Sequence, residues 1–483
     1  MGTPNYNELI IRERFNYKTT RTLSEEFTSD KNRIIFSSPF RRLQQKAQVF
    51  SLETNAAVRS RLTHTLEVAT IGISLAEKIA DKLVENNLIT QDLVLPFIKI
   101  IENACLIHDI GNPPFGHFAE NAIKEWFKKN WKKLFFKASK LNKSDLQEAP
   151  INKELILDFL HFDGNPQGLR IVCTLQDVPG NFINFGLNLT YSQIASIVKY
   201  SGSTSNVDPK NPLNKKAGYF FSEKEKIDKI KRTLNFTNRY PLTYIMEAAD
   251  DISYCLSDIE DGFEKKILTP QYFFEKLKVE WEKYSDQPHT YDSYFAGKNK
   301  ADFFKFKIEF TRALIEHAIE TYIEKHDEVI NGSLHELIDK STDGGLLLKC
   351  LKTVSRKYLF RSSDAENNEL AGHEIILGIL NKYGALLKLE YTKFYDLVSS
   401  KDDLDKVLGS GLDLEWRLFN RLPEKYIEAY KFEFEKCRNE FSEESTFKQY
   451  EWFYRAHLIV DYISGMTDNY ALETYKLLYG IKI

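Results

Sequence analysis

Disulfide, membrane and phosphate-loop chemistry all lack their residues in this chain. The five cysteines, Cys105, Cys173, Cys255, Cys350 and Cys437, are an odd number, far apart and without a Cys-x-x-Cys pair. They read as reduced core residues of a cytosolic protein, not as a disulfide frame or a structural zinc site. No uncharged apolar run is long enough to span a bilayer, so no membrane partner is expected. The opening residues Met1 to Tyr6 carry neither a secretory apolar stretch nor a myristoylation signal, and the expected address is cytoplasmic. An excess of one charge is missing too: 66 Lys+Arg against 69 Asp+Glu leave a net charge of -3. No global field therefore recruits nucleic acid or anionic lipid. There is no Walker loop and no Gly-rich dinucleotide motif, which argues against a kinase or an oxidoreductase. Internal repeats, heptad arrays and low-complexity tracts are absent as well.

Helical periodicity is what the chain has in abundance, while strand alternation is scarce. With 42% hydrophobic and 28% charged residues, 483 positions can build a large core. Leu62, Leu66, Ala69, Ile73, Ala76, Ala80 and Leu83 recur at steps of three and four, the period of an amphipathic helix. Ile98, Ile101, Ala104, Cys105 and His108 continue the rule in a second helix and put His108 on its buried side. A third helix, about Tyr244 to Glu260, carries two stripes. Ile245, Ala249, Ile252, Leu256, Ile259 and Phe263 form a core seam; Glu247, Asp250, Tyr254, Asp258 and Asp261 stack on another face. Stacked acids repel unless water or something positive stands before them. The fold class predicted is all-α: a helical bundle elaborated by an insertion at about 130–240 and a C-terminal helical region. The insertion includes the turn-rich stretch His161-Phe162-Asp163-Gly164-Asn165-Pro166 and a polar loop, roughly Ser201 to Gly218, expected to be mobile. Helices beyond Gly262 are interrupted near Ser341 to Gly345 and at Gly409-Ser410-Gly411.

His108-Asp109 stands where an apolar helical pattern is stopped by Gly111-Asn112-Pro113-Pro114, and His117 and Glu120 follow. A cation that handles phosphates needs imidazole and carboxylate ligands with positions left open for water and substrate. His64, His108, Asp109 and Asp250 supply two of each from three helices. A lone buried histidine is more often a hydrogen-bonded core residue than a ligand; the joint pattern is what favours metal.

These stretches make the sequence similar to the bacterial deoxyguanosine triphosphate triphosphohydrolases of the HD-domain superfamily. The resemblance rests on Ser38-Pro39-Phe40-Arg41-Arg42-Leu43-Gln44, on Arg59 to Val68, on His108 to His117, on Met246 to Tyr254 and on Asp461 to Asp468. It implies an HD-domain core over residues 1–265 and a C-terminal region, 266–483, completing the nucleotide pocket and oligomer contacts. It implies His64, His108, Asp109 and Asp250 as ligands of one divalent ion per active site, with Mn²⁺, Mg²⁺, Fe²⁺, Co²⁺ and Ni²⁺ all suited to the donor set. His117 and Glu120, three apart on a helix, match the acid/base pair.

For the substrate, the resemblance implies Arg61, Lys199 and Tyr200 at the triphosphate and sugar. Tyr254 would exclude a 2′-hydroxyl, and Asp258 with Gln48 would hold the 3′-hydroxyl. Glu369 would read guanine's N1–H and 2-amino edge and Arg455 the far phosphates; a surface carboxylate and an ordinary ion pair are the plainer readings of these two. The implied reaction is hydrolysis of dGTP, or of several dNTPs, at the α-phosphorus by metal-activated water, releasing deoxynucleoside and tripolyphosphate. A homo-oligomer, with the family's hexamer in view, and single-stranded DNA are the implied macromolecular partners. Lys128-Lys129-Asn130-Trp131-Lys132-Lys133 mixes basic and aromatic groups, but a solvated helix face explains it more simply. Two other readings stand: an HD phosphohydrolase of broader specificity, and a nucleotide- or DNA-binding regulator with reduced catalysis.

Overall fold

The computed structural model describes residues 5–16, 20–142, 145, 150–177, 183–286, 295–399 and 411–481. Met1 to Pro4 of the opening stretch, and Gly409-Ser410 of the expected break, lie outside the described residues. Among the described residues the elements are helices, with two isolated bridges, Ala47 to Ser60 and Ser203 to Tyr219, and no strand. The helices that position the site are α1 (Leu23–Ile35), α2 (Arg61–Glu85), α3 (Gln91–Ile107), α4 (His117–Ser139), α5 (Gly164–Cys173) and α6 (Thr243–Glu264). From the distal half come α7 (Ser363–Tyr383), α8 (Glu424–Glu440), α9 (Glu444–Ser464) and α10 (Asp468–Leu478).

Helix α2 starts where Ser60 and Thr63 form a reciprocal cap, each side chain accepting from the other's backbone N–H. It packs on α3 and α6, and α1 covers the far side of α3. The seam between them is aliphatic and dry: Val68, Leu75, Ile79, Leu83, Ile100, Ile101, Ile245 and Ile252 are fully buried. At about 1.5–3 kcal/mol for each such side chain, this seam offsets the cost of burying the charged residues clustered at its end. One expectation fails here. Leu66, placed on the inner stripe of α2, is 51% exposed. The inward face instead runs through Arg61, His64, Thr65 and Val68, because the polar side chains of the first turn point at the cluster, and that choice rotates the apolar stripe away from Leu66.

The turn after α3 is tight. A Cβ on Gly111 would fall 2.0 Å from the backbone nitrogen of Gly168, so only glycine lets α5 lie directly against the His-Asp turn. Gly116 (φ 59°) then takes the left-handed turn that starts α4. Helices α7 and α9 pack on α4, and α10 on α7, so the distal half closes over the same end of the bundle. The polar loop 201–218 is closed on itself through Gly218 N–H to Gly202 O (2.8 Å) and Asp208 N–H to Asn214 O (2.9 Å). All five cysteines are free and buried. No helix among the described residues is long and apolar enough to cross a membrane.

Candidate metal centre and its cavity

The bundle ends converge on one polar cluster. His64, from the first turn of α2, His108, which caps α3, and Asp109 beside it each offer one ligating atom, all within 4.8 Å of one another. Asp250 comes from α6: its Oδ1 lies 3.3 Å from His64 Nε2 and 3.5 Å from His108 Nε2. The two imidazole rings meet edge to face at 5.5 Å. His108 Nδ1 lies 2.8 Å from the Cys105 carbonyl, which can only accept, so Nδ1 carries the proton and Nε2 is the nitrogen turned to the cluster. That Nε2 is buried without a hydrogen-bond partner.

Electrostatics matches this donor set to a cation. Burial works against an imidazolium at His108, yet the carboxylates of Asp109 and Asp250 push its pKa up to about 9. Burial likewise opposes ionisation of Asp109, and Arg61 with His108 brings it down to about 2. Asp250 is held well below the usual carboxylate range, against burial, by His108, His64 and Lys199. Two acids held toward their ionised form and facing two imidazole nitrogens, one of them an orphan, fit a divalent ion.

A cavity of about 360 Å³ opens in front of the cluster, within the range of small-molecule sites. His117 and Glu120 stand on its wall. Glu120 is buried and accepts twice, from His117 Nδ1–H (2.9 Å) and from the Gly164 N–H (2.9 Å). Burial raises a carboxyl's pKa, but these two bonds with the nearby Lys216 charge bring that of Glu120 down to about 2. His117 itself is 76% exposed, so its other ring nitrogen is open to the cavity.

Six of the expected substrate residues line the same cavity: Gln48, Arg61, Lys199, Tyr200, Tyr254 and Glu369. Arg61 does more than face the opening, since its Nη1 lies 2.5 Å from Asp109 Oδ2. Lys199 Nζ stands 3.7 Å from Glu247 and 3.8 Å from Asp250, the positive group that the acidic stripe of α6 required. Asp258, in contrast, is fully buried outside the lining, and both its oxygens lack a partner; burial and then Asp261 raise its pKa well above the usual range. Arg455 is not brought to the cavity. It is 1% exposed and donates to the carbonyls of Leu386 (3.1 Å) and Leu389 (2.6 Å) and to Glu451 (2.5 Å).

The sequence reading passed over other lining groups. Lys216, in the polar loop, pairs with Asp163 at 2.6 Å. Asn112 holds Asp109 Oδ1 through its amide (2.6 Å), and Phe115, Phe118 and Phe360 supply apolar wall. The turn-rich stretch around Asp163 was visible; nothing local marks Lys216, because only the folding back of its loop brings it here. The exposed Lys128, Lys129, Lys132 and Lys133 lie along α4, with Lys132 over the Trp131 ring.

Comparison with known proteins agrees with this geometry. The HD domain family matches residues 61–159, which contain His64, His108, Asp109, His117 and Glu120. The phosphohydrolase-associated domain family matches residues 421–477. The chain is 36% identical over 498 aligned positions to the deoxyguanosinetriphosphate triphosphohydrolase of Yersinia enterocolitica, covering 96% of this chain and 94% of that protein. It is 37% identical, with the same coverage, to the proteins of that name from Yersinia pseudotuberculosis and Yersinia pestis.

Proposed function

The chain belongs to the deoxyguanosinetriphosphate triphosphohydrolase family, and on that premise we propose that it is a metal-dependent triphosphohydrolase of deoxynucleoside triphosphates, dGTP foremost. The observation that carries this reading is the meeting of His64, His108, Asp109 and Asp250 beside the His117–Glu120 pair at one cavity. These four side chains would hold a divalent cation, which when bound supplies Lewis acidity toward phosphate oxygens and acidity to water.

The chain's own residues perform the rest. Arg61 and Lys199 bring positive charge to the rim where the phosphates would lie, and Lys216 adds a third cation near Glu120. His117, protonated and anchored through Nδ1, gives a proton from Nε2 to the departing 5′-oxygen; Glu120 fixes the ring and stabilises its charged form. Water forms the new bond to the α-phosphorus and releases its proton to solvent, the bond to O5′ breaks, deoxynucleoside and tripolyphosphate leave, and His117 regains its proton from solvent. Tyr254 closes the sugar end against a 2′-hydroxyl, and Glu369 accepts from the guanine edge. Asp258 with Gln48 would take the 3′-hydroxyl, which requires Asp258 to open toward the cavity; two partnerless oxygens make it an available acceptor.

We further propose that residues 1–265 form the catalytic core and 266–483 complete the pocket, that the chain works as a homo-oligomer, of which a hexamer is one form, and that single-stranded DNA is a ligand to test. The deciding experiment is incubation of purified, metal-loaded protein with each dNTP and separation of products. Deoxyguanosine and intact tripolyphosphate are expected. Deoxynucleoside monophosphate or orthophosphate as first product would instead favour an HD phosphohydrolase of another specificity.

A further inference from the structure

The stretch Asp461 to Asp468, at the junction of α9 and α10, contributes nothing to the cavity wall, yet its polar groups are buried and spoken for. Asp461 accepts from Gln167 Nε2 (2.9 Å), Arg170 Nε (2.9 Å) and Arg170 Nη2 (2.8 Å). Both partners sit on α5, whose first residue, Gly164, donates its N–H to Glu120. Ser464 accepts from Lys46 Nζ (2.9 Å), which also donates to the Asn112 carbonyl (2.6 Å) behind Asp109. Asp468 spends both oxygens on backbone: Oδ1 accepts from Phe115 N–H (3.1 Å) and Oδ2 from Ala47 N–H (3.1 Å).

The bond to Phe115 matters most because of where Phe115 is. Its φ is 61°, a left-handed conformation that bulky residues rarely adopt and that persists only when its surroundings enforce it. Gly116 follows at φ 59°, and α4 then begins at His117 without a side-chain cap. The direction of the His117 side chain is thus set by two left-handed residues. The Phe115 ring is pressed on α7, where a Cβ on Gly372 would fall 2.5 Å from Phe115 Cγ. Asp468 fixes the backbone at the other end of the same residue.

We propose that the segment Asp461–Asp468 holds the His117–Glu120 pair in register from both sides, with Asp468 a positioning residue that acts on His117 through Phe115. This inference rests on the acid role given to His117 above. It assigns the C-terminal region a part in proton transfer although none of this segment's residues touches the cavity.

The test is a four-way comparison of parent, H117A, D468N and the double variant, reading kcat, KM and bound metal in the full-length protein. The N–H groups of Phe115 and Ala47 reach separate carboxylate oxygens, and an amide has only one oxygen and a donor NH₂ in place of the other, so D468N leaves one of these N–H groups without its acceptor and loosens the turn while keeping size. D468N should lower kcat by about tenfold to a hundredfold, with KM within about twofold and metal content as in the parent. In the H117A background the same change should add nothing beyond about twofold, because the group being positioned is gone. A merely structural Asp468 would cost the same factor in both backgrounds, and that result overturns the proposal, as does parental kcat in D468N. Parental activity in H117A would remove the acid assignment and this inference with it, and is distinguishable because it needs no Asp468 variant. Should D468N fail to fold, D468S, whose smaller hydroxyl leaves a single acceptor at the turn, carries the identical comparison.

Discussion

Replacing Glu120 by glutamine tests the proton chemistry most sharply, since the structure fixes how the amide must sit. The Gly164 N–H needs an acceptor, so the amide oxygen takes that place and the NH₂ faces His117 Nδ1. Nδ1 must then accept, which leaves the neutral ring with its proton on Nε2 and deprives the imidazolium of its counter-charge. A hydrogen bond to a charged group is worth about 1.5–3 kcal/mol, so kcat should fall about 10- to 150-fold while bound metal stays stoichiometric. Stability should change in a way peculiar to this residue. The Glu120 carboxyl is drawn from its ordinary 4.5 to about 2, which corresponds to about 3 kcal/mol favouring the folded state. A depressed carboxyl contributes fully above pH 4.5 and loses that contribution as pH falls toward 2. Urea unfolding of parent and E120Q should therefore differ most at neutral pH and converge as the medium is acidified through that window. Unchanged kcat, or a stability gap indifferent to pH, would refute the assignment.

Asp250→Ala should deplete bound divalent metal measured by elemental analysis, and stoichiometric metal in that variant would remove Asp250 from the ligand set. Arg455→Met should lower unfolding free energy by about 3–5 kcal/mol, because Glu451 is left buried without its cation, while kcat of the folded protein stays near the parent value. A kinetic loss without a stability loss would place Arg455 at the nucleotide after all. Partial burial, and then the charge of Glu366, push the Glu369 carboxyl up to about 7. It is a carboxylate above that pH and neutral below, so preference for dGTP over dATP should weaken as pH falls from about 8 to about 6. A preference independent of pH, or one equally pH-dependent in E369Q, would show that another group reads the base.

Much of the site is legible in the amino-acid sequence itself. Periodicity placed α2, α3 and α6, and the His-Asp turn stopped by Gly111 to Pro114 was visible as a helix end in the string itself. The register that puts His108 on the inward face of its helix, and the one that stacks Asp250 with other polar groups on a face apart from the core seam, follow from 3.6 residues per turn and need no partner to specify them. Leu66 shows the limit of the same rule, for hydrophobicity cannot say that polar residues will claim the inner face of a first turn.

What the sequence determined, then, is the helical class, helices α2, α3 and α6 and the chemistry those helices carry, because each depends on residues a few positions apart. What only the tertiary structure decided is how charges far apart in the chain are matched. Arg61 neutralises Asp109, Lys199 stands before the acids of α6, and Lys216 arrives from a polar loop. Asp258 is sealed without a partner and Arg455 is caged by carbonyls away from the cavity. Ion pairing and burial depend on distance through space, and that distance is set by how the helices pack, which no local pattern encodes.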